Sequence, residues 1–370
     1  MMIRVGVIGL GRSGWEIHCS FLSKAKQFQL AAVCDQSPER LKQAGELFNT
    51  KTYSSAQELI SDSDIELVVV SAPSHLHKSL ALAVLAAGKH VIVEKPMSTT
   101  LADADEMLDA AEKSGRVLTV FHNRRWDRDY LMIKKFFQEG RFGSLFSIDS
   151  RVMTFGPEWS TYGVKEYDPQ WRTKAAYGGG FLADWGPHLV DQCLDLSCEW
   201  PKSVSCELRS HLWATEVEDS FTLRLSFPSG LLATIEGSNN TRIPLPRWFV
   251  VGEKGTLISK GEWGKWTEMR FKGLVDDKEA EFEPKPASEG DGLESFGVDT
   301  ELTARFYTDL HEALMKGREP VIKAKIARNV MAVLEAARRS AKEGQTIYLD
   351  PARLDFHLPV RERTKLQHIA

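Results

Sequence analysis

The stretch IRVGVIGLGRSG, Ile3 to Gly14, constrains the fold more than any other: an apolar β-like run passes directly into a GxGxxG turn where a helical pattern begins. Glycine-rich turns are common, but in this setting each glycine has a reason. Gly9 permits the tight turn, Gly11 lets a pyrophosphate reach the backbone, and Gly14 lets helix and strand pack closely. The helix start, with Arg12 and Ser13, offers free N–H groups and the positive end of a dipole to phosphates. Further apolar runs follow at 30–34, 66–71, 90–94 and 117–121, with helical patterns near 12–25, 38–48, 75–87 and 101–113. Short runs apolar on both faces, joined by helices, predict a parallel sheet covered on both sides. This doubly wound α/β unit ends near residue 122, dividing the chain into 1–122 and 123–370.

Asp35 closes the second run, 21 residues beyond Gly14. An acid there can accept hydrogen bonds from both hydroxyls of an adenosine ribose and repels a 2′-phosphate, so NAD is expected over NADP. Arg40, on the next helix, can reach back to a phosphate and leaves NADP open.

The second half changes character. CELRSHL (206–212) and SFTLRLSF (220–227) alternate apolar and polar residues, and PSG (228–230) and GEKG (252–255) read as hairpin turns. The expectation is a large, mostly antiparallel open sheet with one buried and one polar face. Helices near 126–139, 182–196, 299–316 and 325–343 would cover the buried face. The polar, acidic segment 272–297 reads as loop. Between Phe155 and Tyr177 there is no periodicity, yet Trp159, Tyr162, Tyr167, Trp171 and Tyr177 make this stretch too aromatic for a disordered linker. Rigid rings beside Arg172 and Lys174 suit a sugar or polyol, whose C–H face stacks while its hydroxyls take polar partners.

Two other stretches carry chemistry. In GKHVIVEKP (88–96), Lys95 stands at the carboxyl end of a central strand, where such sheets bind ligands. In GGGFLADWGPHLVDQ (178–192), Asp184, His188 and Asp191 fall at i, i+4 and i+7, on one face of a helix. Asp191 is expected to be structural, satisfying local backbone or an arginine. Pro187 disturbs strict helical geometry, since proline suits only a first turn. His75 and His77 have no carboxylate or cysteine cluster beside them, so no metal is expected.

Composition excludes several classes. A net charge of −4 without basic clusters argues against nucleic acid. The longest apolar helical run, 80–87, is too short to span a bilayer. No signal peptide is expected before Ile3. Five cysteines without a CxxC pair point to reduced thiols and a cytoplasmic setting, with Cys193 as core filler.

GLGRSG, Asp35, SAPSHLH (71–77), AGKHVIVEKP (87–96), NRRW (123–126) and GGGFLADWGPH (178–188) occur in the order and spacing of the Gfo/Idh/MocA oxidoreductases, and the chain resembles that family over nearly its whole length. The resemblance is strongest to the bacterial inositol and sugar dehydrogenases of the group. It implies a Rossmann domain followed by an α+β domain that pairs subunits through its sheet, hence a homodimer or homotetramer. It implies cofactor contacts from Ser71, Ala72, Pro73, His77, Glu94, Lys95 and Asn123, with the Ala72–Pro73 turn and Glu94 by the nicotinamide. It places the family's lysine on Lys95 and its Asp-x-x-x-His pair on Asp184 and His188. Trp185 stands where many members carry a smaller aliphatic residue, which bears on substrate size.

The expected chemistry is oxidation of a secondary alcohol in a cleft between the domains, with the three glycines leaving room for a ligand. His188, near neutrality in pKa, takes the hydroxyl proton, Lys95 stabilises developing alkoxide, and Asp184 orients the substrate or holds the charged histidine. Trp171, Arg172 and Tyr177 complete the substrate side. Two rivals use the same scaffold: transient oxidation by bound NAD that cleaves a glycoside by elimination, and a non-catalytic sensor, which would be expected to lose the lysine or histidine that this chain keeps.

Overall fold

The computed structural model describes residues 2–157, 171–285 and 300–350, the side chains of Thr300 and Glu301 excepted; Trp159, Tyr162 and Tyr167 lie outside the described residues. The first half forms an all-parallel sheet of six strands: β1 (Ile3–Ile8), β2 (Phe28–Cys34), β3 (Lys51–Tyr53), β4 (Leu67–Val70), β5 (His90–Val93) and β6 (Leu118–Val120). The order is β3-β2-β1-β4-β5-β6, so the chain reverses direction across the sheet between β1 and β4. That reversal opens the crevice in which dinucleotides bind. The central strands read as unbroken aliphatic runs because both faces are covered, and Leu67 to Val70 are fully buried. The helix after the glycine turn is wound in two ways: π-helical over Ser13–Cys19, then a short α-turn over Ser20–Leu22, together α1. α2 (Pro38–Phe48), α4 (His77–Ala86) and α5 (Leu101–Ser114) match the expected helical patterns; a short α3 (Ala56–Ser61) lies between them.

The second half forms a sheet of nine strands in the order β14-β13-β12-β11-β7-β10-β9-β8-β15. Its centre is β7 (Leu145–Met153), paired antiparallel to β11 (Trp248–Gly252) and parallel to β10 (Leu232–Ser238). β8 (Ser203–Arg209), β9 (Ser220–Ser226) and β12 (Gly255–Ser259) extend it antiparallel on both sides, with Ile347–Tyr348 as the short edge β15. On β9, Phe221, Leu223 and Leu225 are buried while Thr222, Arg224 and Ser226 are not, as the alternation requires. On the polar face, Arg151 donates to Glu236 at 2.6 Å and Asp149 at 2.7 Å.

One expectation is corrected. The segment 272–297 is not loop throughout: β13 (Met269–Val275) and β14 (Lys278–Phe282) form a hairpin. Its two-residue turn is Asp276–Asp277, with φ of +51° and +60°. Two consecutive left-handed residues make the type I′ turn that matches strand twist. The acidic composition concealed a turn signal, because aspartate tolerates this conformation.

The buried face is covered by α6 (Arg128–Gln138), α7 (Phe181–Ser197) and α9 (Ala324–Glu343). α8 (Thr300–Lys316) does something else: its Phe306, Tyr307 and Leu310, with Ile322 beyond it, join the core of Val5, Val7, Phe28 and Ile92 in the first sheet. The Thr119 hydroxyl donates to the Ile322 carbonyl at 2.7 Å.

Candidate functional site

The glycine turn is shaped by close approach. A Cβ on Gly9 would lie 2.7 Å from the Ser71 carbonyl oxygen, and one on Gly14 1.8 Å from the Gly9 carbonyl oxygen. A Cβ on Gly11 would meet nothing within 4 Å, so the backbone there faces open space. This cradle, at the start of α1, fits a pyrophosphate. Arg12 reaches Glu16 at 3.4 Å, and Ser13 opens the helix.

Asp35 and Arg40 both turn out to brace the cradle. The Asp35 carboxylate accepts from Leu10 N at 2.7 Å and Ser37 N at 2.9 Å. Arg40 is buried and its guanidinium donates to the Leu10 carbonyl. Sequence reasoning gave these residues to the ribose or phosphate and missed that they also fix the turn. Backbone partners leave no periodicity to read.

Lys95 and Asp184 meet across the two halves. Lys95 Nζ donates to Asp184 Oδ1 at 2.6 Å and to the Asp184 carbonyl at 2.8 Å. Arg172 Nε lies 3.9 Å from the same carboxylate. Burial pushes the Asp184 carboxyl up, but Lys95 and Arg172 outweigh it and hold the group below the usual carboxylate range. His188 lies one turn further along α7, which continues through the buried Pro187. The imidazole is buried, and burial, then Lys95, Arg124, His122 and Arg247, hold its pKa well below the ordinary histidine value. Among the described residues Asp184 makes no hydrogen bond to His188, so the triad-like holding of a charged histidine is not what the structure shows: the carboxylate is committed to Lys95.

The glycines before α7 do not leave room either. Cβ atoms on Gly178, Gly179 and Gly180 would lie 2.6 Å from Thr99 Cγ2, 2.2 Å from the Arg172 carbonyl oxygen and 2.3 Å from Glu218 Oε1. The protein itself fills that space. Glu218 uses it to accept from Leu182 N at 2.9 Å, an anion at the helix N-terminus.

Other site residues follow from this docking. Trp171 stacks under Arg172 at 4.5 Å, and the Tyr177 ring lies 5.0 Å from His75, so residues 175–177 pack against Ser74–Leu76, the turn that follows Ala72 and Pro73. His77 bridges that turn to the lysine strand: Nε2 is 2.9 Å from the Ala72 carbonyl and Nδ1 2.8 Å from the Pro96 carbonyl. Glu94 faces His18 Nε2 at 3.1 Å and accepts from Lys95 N at 3.1 Å, while His18 Nδ1 meets the Tyr307 hydroxyl at 2.8 Å. A carboxylate only accepts, so Nε2 donates, and in the neutral ring Nδ1 then accepts from the Tyr307 hydroxyl. Asn123 begins the turn after β6. Next to it, Arg125 grips Asp191 with two bonds, 2.7 and 2.8 Å, and Asp195 with a third at 3.1 Å. Asp191 is thus held by an arginine, as expected of a structural acid.

Sequence reasoning missed an aromatic wall and a second histidine. Trp185 contacts Trp263 at 5.9 Å and Trp266 at 6.4 Å, with Arg124 4.9 Å above the Trp185 ring. His122 lies 6.0 Å from His188. Like Lys95, it lies two residues beyond a strand whose carboxyl end faces the crevice, and that placement was the available signal. Among the described residues no three His, Cys, Asp or Glu side chains gather as metal ligands, and no helix is long and apolar enough to cross a membrane.

Comparison with known proteins decides what scaffold this is. Residues 3–122 match the oxidoreductase family with an NAD-binding Rossmann fold, and residues 130–258 match the GFO/IDH/MocA C-terminal domain. The chain belongs to the GFO/IDH/MocA oxidoreductase family. It is 30% identical to scyllo-inositol 2-dehydrogenase (NADP(+)) of Bacillus subtilis, over 94% of this chain and 96% of that protein. It is 37% identical to myo-inositol 2-dehydrogenase of Thermotoga maritima, over 70% of this chain and 75% of that one. Among solved structures, the aldose-aldose oxidoreductase of Caulobacter crescentus superposes with a TM-score of 0.78 at 26% identity, covering 94% of this chain and all of that one. This GFO/IDH/MocA protein is therefore an NAD(P)-dependent oxidoreductase.

Proposed function

We propose that this oxidoreductase dehydrogenates a secondary alcohol of a sugar, inositol or related polyol. The observation that carries the reading is the Lys95–Asp184 pair, 2.6 Å across the crevice, with His188 one helical turn away. Residues 1–122 hold the dinucleotide and 123–370 supply the substrate side. Gly9 to Gly14 take the pyrophosphate, Asp35 the ribose, and Ser71, Ala72, Pro73, His77, Glu94 and Asn123 line the nicotinamide end. Bound there, a nicotinamide would supply the hydride acceptor.

The chain's own residues manage the proton and the charge. Lys95 donates to the substrate oxygen and stabilises the alkoxide as it forms. Asp184 keeps Lys95 in place and orients a neighbouring hydroxyl. His188, neutral at physiological pH because burial and surrounding cations disfavour its charged form, takes the hydroxyl proton. Trp171, Arg172 and Tyr177 bracket the ring, and the Trp185 wall favours a compact substrate. The relatives named as inositol dehydrogenases support the substrate class.

A panel of inositols, pyranoses and anhydrosugars with NAD and NADP, followed by absorbance of the reduced cofactor, tests this. No turnover of any polyol with either cofactor would refute it. The open sheet, with its polar Arg151–Glu236 face, is the proposed subunit interface of a dimer or tetramer in the cytoplasm. A monomer at micromolar concentration by sedimentation would contradict that assignment.

A further inference from the structure

Two imidazole rings meet behind Lys95. His122, 1% exposed, lies two residues beyond β6, and His188, 7% exposed, lies on α7. Their centroids are 6.0 Å apart and their planes cross at 86°. Nδ1 of each ring is sealed from the surface and has no protein partner among the described residues. A buried nitrogen left unsatisfied costs about 1–3 kcal/mol, and apolar rings would fill the same space without that penalty. Two such atoms on rings whose centroids are 6.0 Å apart can share one polar bridge, and a water between two imidazole nitrogens would supply it.

We propose that His122 and His188 are a proton-holding pair joined through their Nδ1 atoms by one internal water, in which His122 stores the proton that His188 takes from the substrate. The inference rests on reading His188 as the base. The substrate O–H bond breaks toward His188 Nε2. The His188 Nδ1–H proton passes to the water, and the water's own proton passes to His122 Nδ1. The carbinol hydrogen leaves as hydride to the oxidant, the nicotinamide, so the alcohol loses two electrons and becomes a carbonyl. His188 ends neutral, with its tautomer exchanged, and His122 ends as imidazolium. After product leaves, the same chain runs backward and the proton exits from His188 Nε2 to solvent.

The surrounding charges explain the direction. His188 is faced by Lys95, Arg124, Arg247 and His122, all cations or potential cations. His122 is faced by Asp191 and Glu94 as well as Arg125 and Lys95. A positive charge is therefore better tolerated on His122, although burial disfavours it on either ring.

Nitrogen-15 NMR of the histidine-labelled full chain, without substrate, tests the pair directly. His188 should show an exchange-protected Nδ1–H that shifts and loses protection in His122→Phe. Unchanged His188 signals in that variant would overturn the proposal. In kinetics, His122→Phe should lower kcat roughly tenfold or more with KM and NAD affinity kept, and imidazole should restore His122→Gly in proportion to its free-base fraction. Wild-type kcat in His122→Phe, or a His122→Gly that folds but gains nothing from imidazole, would also overturn it. If no polyol is turned over, the substrate reading fails while the NMR result still decides the pair.

Discussion

At the residue scale, Lys95 and His188 are proposed to act on one oxygen. Lys95→Ala should lower kcat by roughly 10²–10³, the usual cost of losing a charge-stabilising donor. NAD affinity should hardly change, because the Gly9–Gly14 turn and Asp35 are proposed to carry it. His188→Ala should cost roughly 10²–10⁴. The double variant should lose less than the product of the two; losses that multiply in steady-state assays would assign the residues to different steps. Asp35 is a compound case, since its carboxylate holds Leu10 N and Ser37 N. Asp35→Ser should narrow any preference for NAD in kcat/KM and weaken both cofactors somewhat, as the turn loosens. A wild type that prefers NADP tenfold would contradict the reading of Asp35.

At the element scale, α7 is anchored by Arg125, whose guanidinium is held charged by the Asp191 and Asp195 carboxylates. Arg125→Ala leaves a buried carboxylate unpaired and should cost about 3–5 kcal/mol in urea unfolding. Removing Asp191 as well (R125M with D191L) should recover part of that loss, and additive losses would refute the coupling. The same helix shows what a sequence conveys. Asp184, His188 and Asp191 were legible because helical spacing projects directly onto one face. The destination of each side chain was not, since Lys95 lies 89 residues from Asp184 and Arg125 lies 66 from Asp191. Helices and the parallel sheet were visible in local periodicity. The β13–β14 hairpin was hidden by acidic composition, and the close approaches at Gly178 to Gly180 depend on Thr99, Arg172 and Glu218, which no local pattern brings together.

At the scale of the whole molecule, His77, His122 and His188 are all buried, and burial lowers the pKa of each. Unfolded, each returns to about 6.5. Below that pH the unfolded chain binds protons that the native fold refuses, so stability falls as pH falls and is fully present above it. Each histidine adds a slope of up to about 1.4 kcal/mol per pH unit. Urea midpoints should thus drop between pH 7.5 and pH 5.5 with little change in m, and the drop should shrink in His188→Gln. A flat profile would mean that these rings take up protons in the native state as readily as in the unfolded chain.

The return of α8 to the first sheet has a consequence for how such proteins can be recombined. Tyr307 donates to His18, which in turn holds Glu94 beside Lys95, and Phe306, Leu310 and Ile322 complete the same core. The dinucleotide half is consequently not a cassette. Excised at residue 122, it would expose the apolar bed that those side chains cover. Grafted onto another member's second half, it would inherit a foreign α8 against His18, so chimaeras within the family should succeed only when the segment from Phe306 to Ile322 travels with the N-terminal half.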